Sequence, residues 1–273
     1  MDDLYILARR VLLDALEALK AHLESLILVG SQAIYLQVGE SDLAIAPYTT
    51  DGDIAINPEL LADIPPIEQE LSRANFQPES EHSVGIWVAH HPVPHDPYRK
   101  VAVDLLVPKA LYSGKGRRAA RMTGHHKRSA RLVDGLEGAV VNFEMMTISA
   151  LADTDNRSFS LKVAGTGALL IAKAFKIADR EGMSRQNDKD ALDVFRILRG
   201  TETMHLCRQL HLLLEDDRSR KTAMKGVDLL RNQFLTKSSI GVKMVIRATE
   251  LLADPDEMAS SCIMLAEDMF SSL

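Results

Sequence analysis

The sequence predicts an α+β fold: a mixed sheet with flanking helices in the amino-terminal half, followed by an all-helical carboxy-terminal half. Three observations carry this expectation. Short apolar runs bounded by turn residues recur between residues 26 and 107, as buried strands do. Stretches with apolar residues at helical spacing precede and separate them. Beyond Val163 only helical spacing remains.

Leu4, Leu7, Ala8, Val11, Leu12, Ala15 and Leu19 form an apolar stripe, so residues 1 to about 24 read as an amphipathic helix. Leu26 to Val29 is a continuous apolar run ending at Gly30-Ser31: a strand, a tight turn, and a helix over Gln32 to Val38. Asp53 to Ile56, Val84 to Ala89 and Val101 to Val107 read as further strands, with a helix from Ile67 to Arg73 between the first two. Phe159, Leu161 and Val163 alternate with polar residues, which marks one more strand over Arg157 to Val163. Helices are expected near 166–180, 188–199, 203–215, 220–235, 239–253 and 256–270, separated by polar or glycine-containing breaks. The domain boundary is expected near residue 150, with 1–150 as the sheet domain and 151–273 as the helical domain. No repeat period or low-complexity tract is visible.

With 273 residues, 46% of them hydrophobic, the chain can bury a substantial core. Its net charge of -6, from 38 acidic and 32 basic residues, excludes a globally polybasic, nucleic-acid-coating character, so any such contact must be local. MDDLYILARRVLLDAL has acids ahead of its apolar residues and no small-residue cleavage site, which argues against a secretory signal. No apolar run reaches the length of a membrane span. Cys207 and Cys262 both lie in helix-like surroundings and read as buried thiols of a cytoplasmic protein.

The chemistry gathers on carboxylates. Side chains alternate along a strand, so Asp51 and Asp53 in TTDGDIAI point to one side with Gly52 between them. Asp104 lies within the apolar strand VAVDLLVP, where a lone ionised carboxylate is costly unless paired or bound to a cation. Hard oxygen ligands suit magnesium, or manganese in its place. Three convergent carboxylates can hold two ions, one orienting a triphosphate and one lowering the pKa of an attacking hydroxyl; Asp104 is the candidate general base or the bridge to the second ion. The plainer readings are an aspartate-glycine turn and an ion pair of Asp104 with Lys100 or Arg99. At Gly30-Ser31, glycine permits a sharp turn and close approach to a phosphate, while Ser31 and the amides of the next helix can donate to it. Its plainer reading is a helix cap.

LVGSQAIYL, then TTDGDIAI, then VAVDLLV resemble, in that order, the active-site motifs of the nucleotidyltransferase superfamily with the polymerase-beta-like core. AKAFKIADR and NDKDALDVFRIL look like the later motifs of its AbiEii and MenT toxin branch. The resemblance covers roughly residues 25 to 200. It implies a nucleotidyltransferase-like sheet domain whose active-site cleft the helical domain completes. Gly30 and Ser31 would contact triphosphate, and Asp51, Asp53 and Asp104 would ligate magnesium. Lys173 would contact phosphate, and Asp190 and Asp193 would support it or touch the nucleotide. It also implies a nucleoside triphosphate as substrate, a tRNA 3′ end as acceptor and an antitoxin as partner. About twenty residues separate Gly30 from Asp51, and an extended loop is expected over Gly39 to Tyr48.

Lys173, Lys176 and Arg180 can share one helix face, with Asp190 and Asp193 as neighbours on the next helix. The group reads either as a cationic face for the triphosphate, with Lys173 and Lys176 on the nucleotide, or as ordinary surface ion pairs. KGRRAARMTGHHKRSAR holds Lys115, Arg117, Arg118, Arg121, Lys127, Arg128 and Arg131 with no acid. It reads equally as a track for RNA phosphates and as a surface for an acidic partner protein, its bland form being a mobile loop. His90, His91 and His95 are closer to a proline-bearing loop than to a zinc site. Ser31 lacks a G-x-S-x-G elbow and the glycines miss the Walker pattern, which argues against hydrolase and P-loop chemistry. A catalytically silent module of the same fold, binding RNA or a partner protein, is the alternative function.

Overall fold

The computed structural model describes residues 3–39, 49–92, 96, 98–180 and 188–273. Among them, helix α1 (Asp3–Ala18) and a 3-10 turn (Lys20–Ser25) lead into β1 (Leu26–Val29) and α2 (Gly30–Val38). Then come β2 (Asp51–Ile56), α3 (Ile67–Arg73), β3 (Gln77–Pro78), β4 (Ile86–His90) and β5 (Lys100–Pro108). Strands β6 (Ala119–Ala120), β7 (Ala130–Val133), β8 (Phe143–Ser149) and β9 (Ser158–Ala164) precede six helices. These are α4 (Thr166–Asp179), α5 (Asp188–Gly200), α6 (Thr203–Glu215), α7 (Arg220–Phe234), α8 (Ile240–Thr249) and α9 (Pro255–Ser272). The α+β class is as the sequence predicts.

The strands form one mixed sheet in the order β3-β4-β5-β2-β1-β9-β8, with β7 beside the end of β5 and β6 beside β7. β2 runs antiparallel to β1 and parallel to β5, and β1 runs parallel to β9. Helix α1 covers β2 and β5 with the stripe Ala8, Leu12, Ala15 and Leu16, all fully buried. The helix closes onto the sheet at Gly52, where a Cβ would stand 3.3 Å from Leu12 Cδ1.

Arg9 belongs to that same buried face. Its Nε donates to Gln32 Oε1 at 2.8 Å, Nη1 to the Ser149 carbonyl at 3.0 Å and Nη2 to the Tyr5 hydroxyl at 3.1 Å. Gln32 Nε2 donates in turn to the Asp51 carbonyl at 2.9 Å. Burial pulls the Arg9 pKa down and Tyr5 only partly restores it, so its charge is held by fixed polar partners rather than by water.

The chain divides into two compact units. One comprises Met1–Ala33, Ala46–Val133 and Glu144–Val163; the other comprises Ile34–Ile45, Asp134–Phe143 and Ala164–Leu273. β9 pairs with β1 (Ile27 with Lys162, Leu28 with Val163) and stays with the sheet up to Val163. In the helical unit α4 packs against α5, α6 and α7. At Gly226 a Cβ would stand 2.7 Å from Ile171, so α4 and α7 approach closely there. Gln233 Nε2 bonds the Ala174 carbonyl at 2.9 Å across the same pair.

Two local expectations differ. The helix expected to residue 24 ends at Ala18 and tightens into a 3-10 turn, where His22 is drawn inward and its Nε2 donates to the Pro65 carbonyl at 2.8 Å. The unforeseen β8 is a sheet edge with five of its seven side chains exposed, so it has no apolar alternation to read. Of the loop expected over 39–48, only Gly39 is among the described residues. Cys207 and Cys262 are free and buried, and burial pushes the Cys262 thiol up to about 12. No helix among the described residues is long and apolar enough to cross a membrane.

Leu12→Ala opens a cavity between α1 and β2 and should cost about 2–5 kcal/mol. The check is urea unfolding followed by Trp87, the chain's one tryptophan, on β4 of the same unit. An unchanged midpoint would mean that α1 does not close onto the sheet.

Candidate active site

The register of β2 and β5 builds the site. Asp53 pairs with Asp104 and Asp51 with Ala102 on parallel strands. Gly52 faces Leu12 of α1, so by alternation Asp51 and Asp53 face the other side, and Asp104 shares it. Thr49, itself buried, donates from Oγ1 to Asp51 Oδ1 at 2.7 Å. Gly30 follows Val29, whose partner on β2 is Asp53. Its φ of 71° is in the left-handed region, and a Cβ there would lie 2.0 Å from Asp53 Oδ2. Glycine is required twice over, by backbone conformation and by space. Ser31 is buried in the first turn of α2.

Gly30, Ser31, Asp51, Asp53 and Asp104 therefore come together along the adjacent strands β1, β2 and β5 and the turn that follows β1. Their hard carboxylate oxygens fit a divalent cation of the magnesium type. Asp104 Oδ2 accepts a hydrogen bond from Arg131 Nη2 at 2.7 Å, rather than pairing with Lys100 or Arg99. Among the described residues no group of three His, Cys, Asp or Glu side chains already stands close enough to enclose a metal. The donor set fits the ion by its chemistry and shared face; its third member is engaged by an arginine.

Sequence reasoning missed Arg9 and Gln32 and assigned Arg131 elsewhere. A charged residue inside the α1 stripe, four places after Tyr5 and three before Leu12, was the readable signal for Arg9. Nothing in the sequence marks Arg131 as the partner of Asp104, because that contact depends on the β5–β7 register.

Lys173, Lys176, Asp190 and Asp193 form a network within the helical unit. Lys173 Nζ lies 2.9 Å from Asp190 Oδ1 and 2.7 Å from Asp193 Oδ2, with all three side chains at most 5% exposed. Arg180 Nη1 reaches Asp190 Oδ2 at 2.6 Å, and the half-exposed Lys176 lies 3.8 Å from Oδ1. Burial alone would pull the Lys173 ammonium down, but Asp193 and Asp190 outweigh it and hold its pKa above the ordinary lysine value. Burial would likewise push Asp190 up, and Lys173, then Lys176, reverse this. Lys173 is the hub of a buried ion cluster, and Lys176 is its more accessible cation.

The basic stretch spans β6, the start of β7 and the turns around them, and is held by hydrogen bonds. The Tyr112 hydroxyl accepts from the Arg121 amide and donates to its carbonyl. The His126 amide and Ser129 Oγ both donate to Glu68 Oε2, and Trp87 Nε1 donates to the Ser129 carbonyl. His125 accepts from the Ile67 amide at Nδ1 (3.1 Å) and donates from Nε2 to the Ala62 carbonyl (2.9 Å). On this frame Lys115, Arg117, Arg118, Arg121 and Lys127 are exposed, and among the described residues none forms an ion pair. Arg128 is half-buried and Arg131 faces Asp104. His91 lies 3.5 Å from Asp14, His90 is exposed at the end of β4, and His95 is outside the described residues.

No family model matches the chain, and no curated protein matches it. It is similar to the crystal structure of an antigenic nucleotidyltransferase-like protein from Paracoccidioides brasiliensis, at 15% identity and a TM-score of 0.39, over 79% of this chain and 91% of that one.

Two outcomes follow from these geometries. Lys173→Ala removes the buried cation that Asp190 and Asp193 share, leaving them the more peripheral Arg180, Lys176 and Arg196, and should destabilise the helical unit by about 3–5 kcal/mol in thermal melts followed by circular dichroism. A loss below about 1 kcal/mol would show that the cluster is dispensable. Burial, the largest influence on His125, pulls its pKa below 6.5, and the protonated ring could not accept from Ile67. The folded state thus binds fewer protons than the unfolded one; this contribution is complete above 6.5 and is lost as pH falls through the depressed value. Stability read by Trp87 should drop from about pH 7 to about pH 5, less steeply in His125→Asn. Equal slopes would remove His125 as the cause.

Proposed function

We propose that the chain is a metal-dependent nucleotidyltransferase that moves a nucleoside monophosphate from a nucleoside triphosphate to an acceptor hydroxyl. The observation that carries this reading is the placing of Asp51, Asp53 and Asp104 on one face of β2 and β5, with the Gly30 turn against Asp53. Asp51 and Asp53 would bind magnesium or manganese, and Asp104 would complete the set. The ion supplies charge neutralisation at the phosphates and acidifies a hydroxyl. Asp104 would accept the proton of the attacking hydroxyl. The new oxygen–phosphorus bond forms at the α-phosphorus as the bond to the β-phosphate oxygen breaks, and pyrophosphate leaves. Gly30 makes room for the Asp53 carboxylate, and Ser31 with the first amides of α2 would donate to a phosphate.

The resemblance to the AbiEii and MenT toxin branch adds Lys176 as a phosphate contact and a tRNA 3′ end as acceptor; Lys173, which it would also place on a phosphate, is buried between Asp190 and Asp193 and serves with Asp190 as the support behind Lys176. The accessibility of Lys176 and the ion pairs of Asp190 agree with those roles. The unpaired exposed cations of the basic stretch suit RNA phosphates, with an antitoxin protein as a second occupant. One observation favours the alternative, a silent module: the arginine on Asp104 is the counter-charge that a metal-free carboxylate would keep.

Incubation with total tRNA, magnesium and each α-labelled nucleoside triphosphate separates the readings. Label on RNA is expected from the intact protein, reduced by at least about a hundredfold in Asp51→Ala/Asp53→Ala. No transfer to RNA, protein or small molecules, with triphosphate binding unaltered in that variant, would leave the silent module.

A further inference from the structure

Resting on the metal-dependent reading above, we infer that Arg131 is a resident counter-ion for Asp104 which the divalent cation displaces, and that the released guanidinium then binds a phosphate of the triphosphate. Arg131 pairs with Leu106 across β5 and β7, and Leu106 is two residues beyond Asp104. The two charged side chains are therefore diagonal neighbours on the face that also carries Asp53. Asp53 and Asp104 are adjacent like charges in register, and Arg131 sets a cation 2.7 Å from Asp104.

The pair is built for exchange rather than permanence. Contact runs through Nη2 to a single carboxylate oxygen, whereas the firm form of this pairing uses two parallel bonds. Arg131 Nε is buried and has no acceptor, so the guanidinium holds a donor in reserve that a phosphate oxygen could satisfy. Both side chains retain solvent contact, 25% for Arg131 and 16% for Asp104, so breaking the pair does not strand a charge in a dry interior. The backbone, by contrast, is fixed. Gly85, with φ 70°, brings its Cα face so near that a Cβ would stand 2.6 Å from the Arg131 amide nitrogen. Only the side chain is available to move, and it moves along the face where the phosphates would lie.

Arg131 is on this account a substrate-binding residue whose loss should help one ligand and harm the next, which a purely structural residue would not do. The test measures Mn2+ binding by electron paramagnetic resonance, then binding of a non-transferable triphosphate analogue in saturating Mn2+. It uses the full chain, Arg131→Gln, Arg131→Lys and Asp51→Ala/Asp53→Ala. Without nucleotide, Arg131→Gln should bind Mn2+ about three- to tenfold more tightly than the intact chain, and with Mn2+ it should bind the analogue about tenfold more weakly. Arg131→Lys, which keeps the charge but not the fork, should change both in the same directions by less. It decides the matter if Trp87 fluorescence shows Arg131→Gln unfolded. Mn2+ binding that is unchanged or weaker in the folded variant overturns the inference and leaves the transferase reading standing. If the intact chain binds Mn2+ no better than Asp51→Ala/Asp53→Ala, the metal reading falls and the inference falls with it.

Discussion

The close approach of α1 to β2 at Gly52 decides which way the carboxylates point. A Cβ at position 52 would stand 3.3 Å from Leu12 Cδ1, so the α1 side of β2 is closed, and its polar members Arg9 and Gln32 are already engaged with each other and the backbone. Alternation then leaves Asp51 and Asp53 one direction only. Slipping the strand by one residue would turn both carboxylates into the α1 core, where unpaired charge is costly. The helix stripe and the position of the acids are two consequences of one packing contact. Arg9 reinforces it from the same helix, through Gln32 to the backbone at Asp51.

Charge is balanced differently in the two units. Asp190 and Asp193 are almost fully buried around Lys173, and the mutual bias of their pKa values toward the charged forms describes a fixed cluster. Asp104 and Arg131 meet near the surface through one bond. Depth sets the use: a dry cluster cannot open without large cost, and a wet pair can exchange partners. The basic stretch falls between these extremes. Its frame is hydrogen-bonded, through Tyr112, His125 and Glu68, while its cations project outward.

What could be read from the sequence was local. β1 and α3 have the bounds that their apolar patterns indicate, since each is decided by residues within it. The shared direction of Asp51 and Asp53 was legible for the same reason. The neighbour relation of Asp53 and Asp104 rests on a parallel pairing between strands about fifty residues apart, which no local pattern encodes. Lys173, Lys176 and Arg180 were recognisable as one helix face, but spacing does not say which member of a face is buried, and it is Lys173. The edge strand β8 lacked the alternation that burial imposes, and so was not recognised.

The weaving of the chain between its two units has a consequence for modularity. The helical unit is not the carboxy-terminal third alone: Asn142 accepts from the Ala168 amide through Oδ1 and its carbonyl accepts from the Gly165 amide, so the segment Asp134–Phe143 caps the start of α4. A fragment that begins at Ala164 would lose that cap, and one that ends at Val133 would lose β8 and β9 from its sheet. Neither unit is a block that could be cut out, transplanted or exchanged at one junction; fusion partners and insertions belong at the termini, and gains or losses of domains would have had to spare the chain between them.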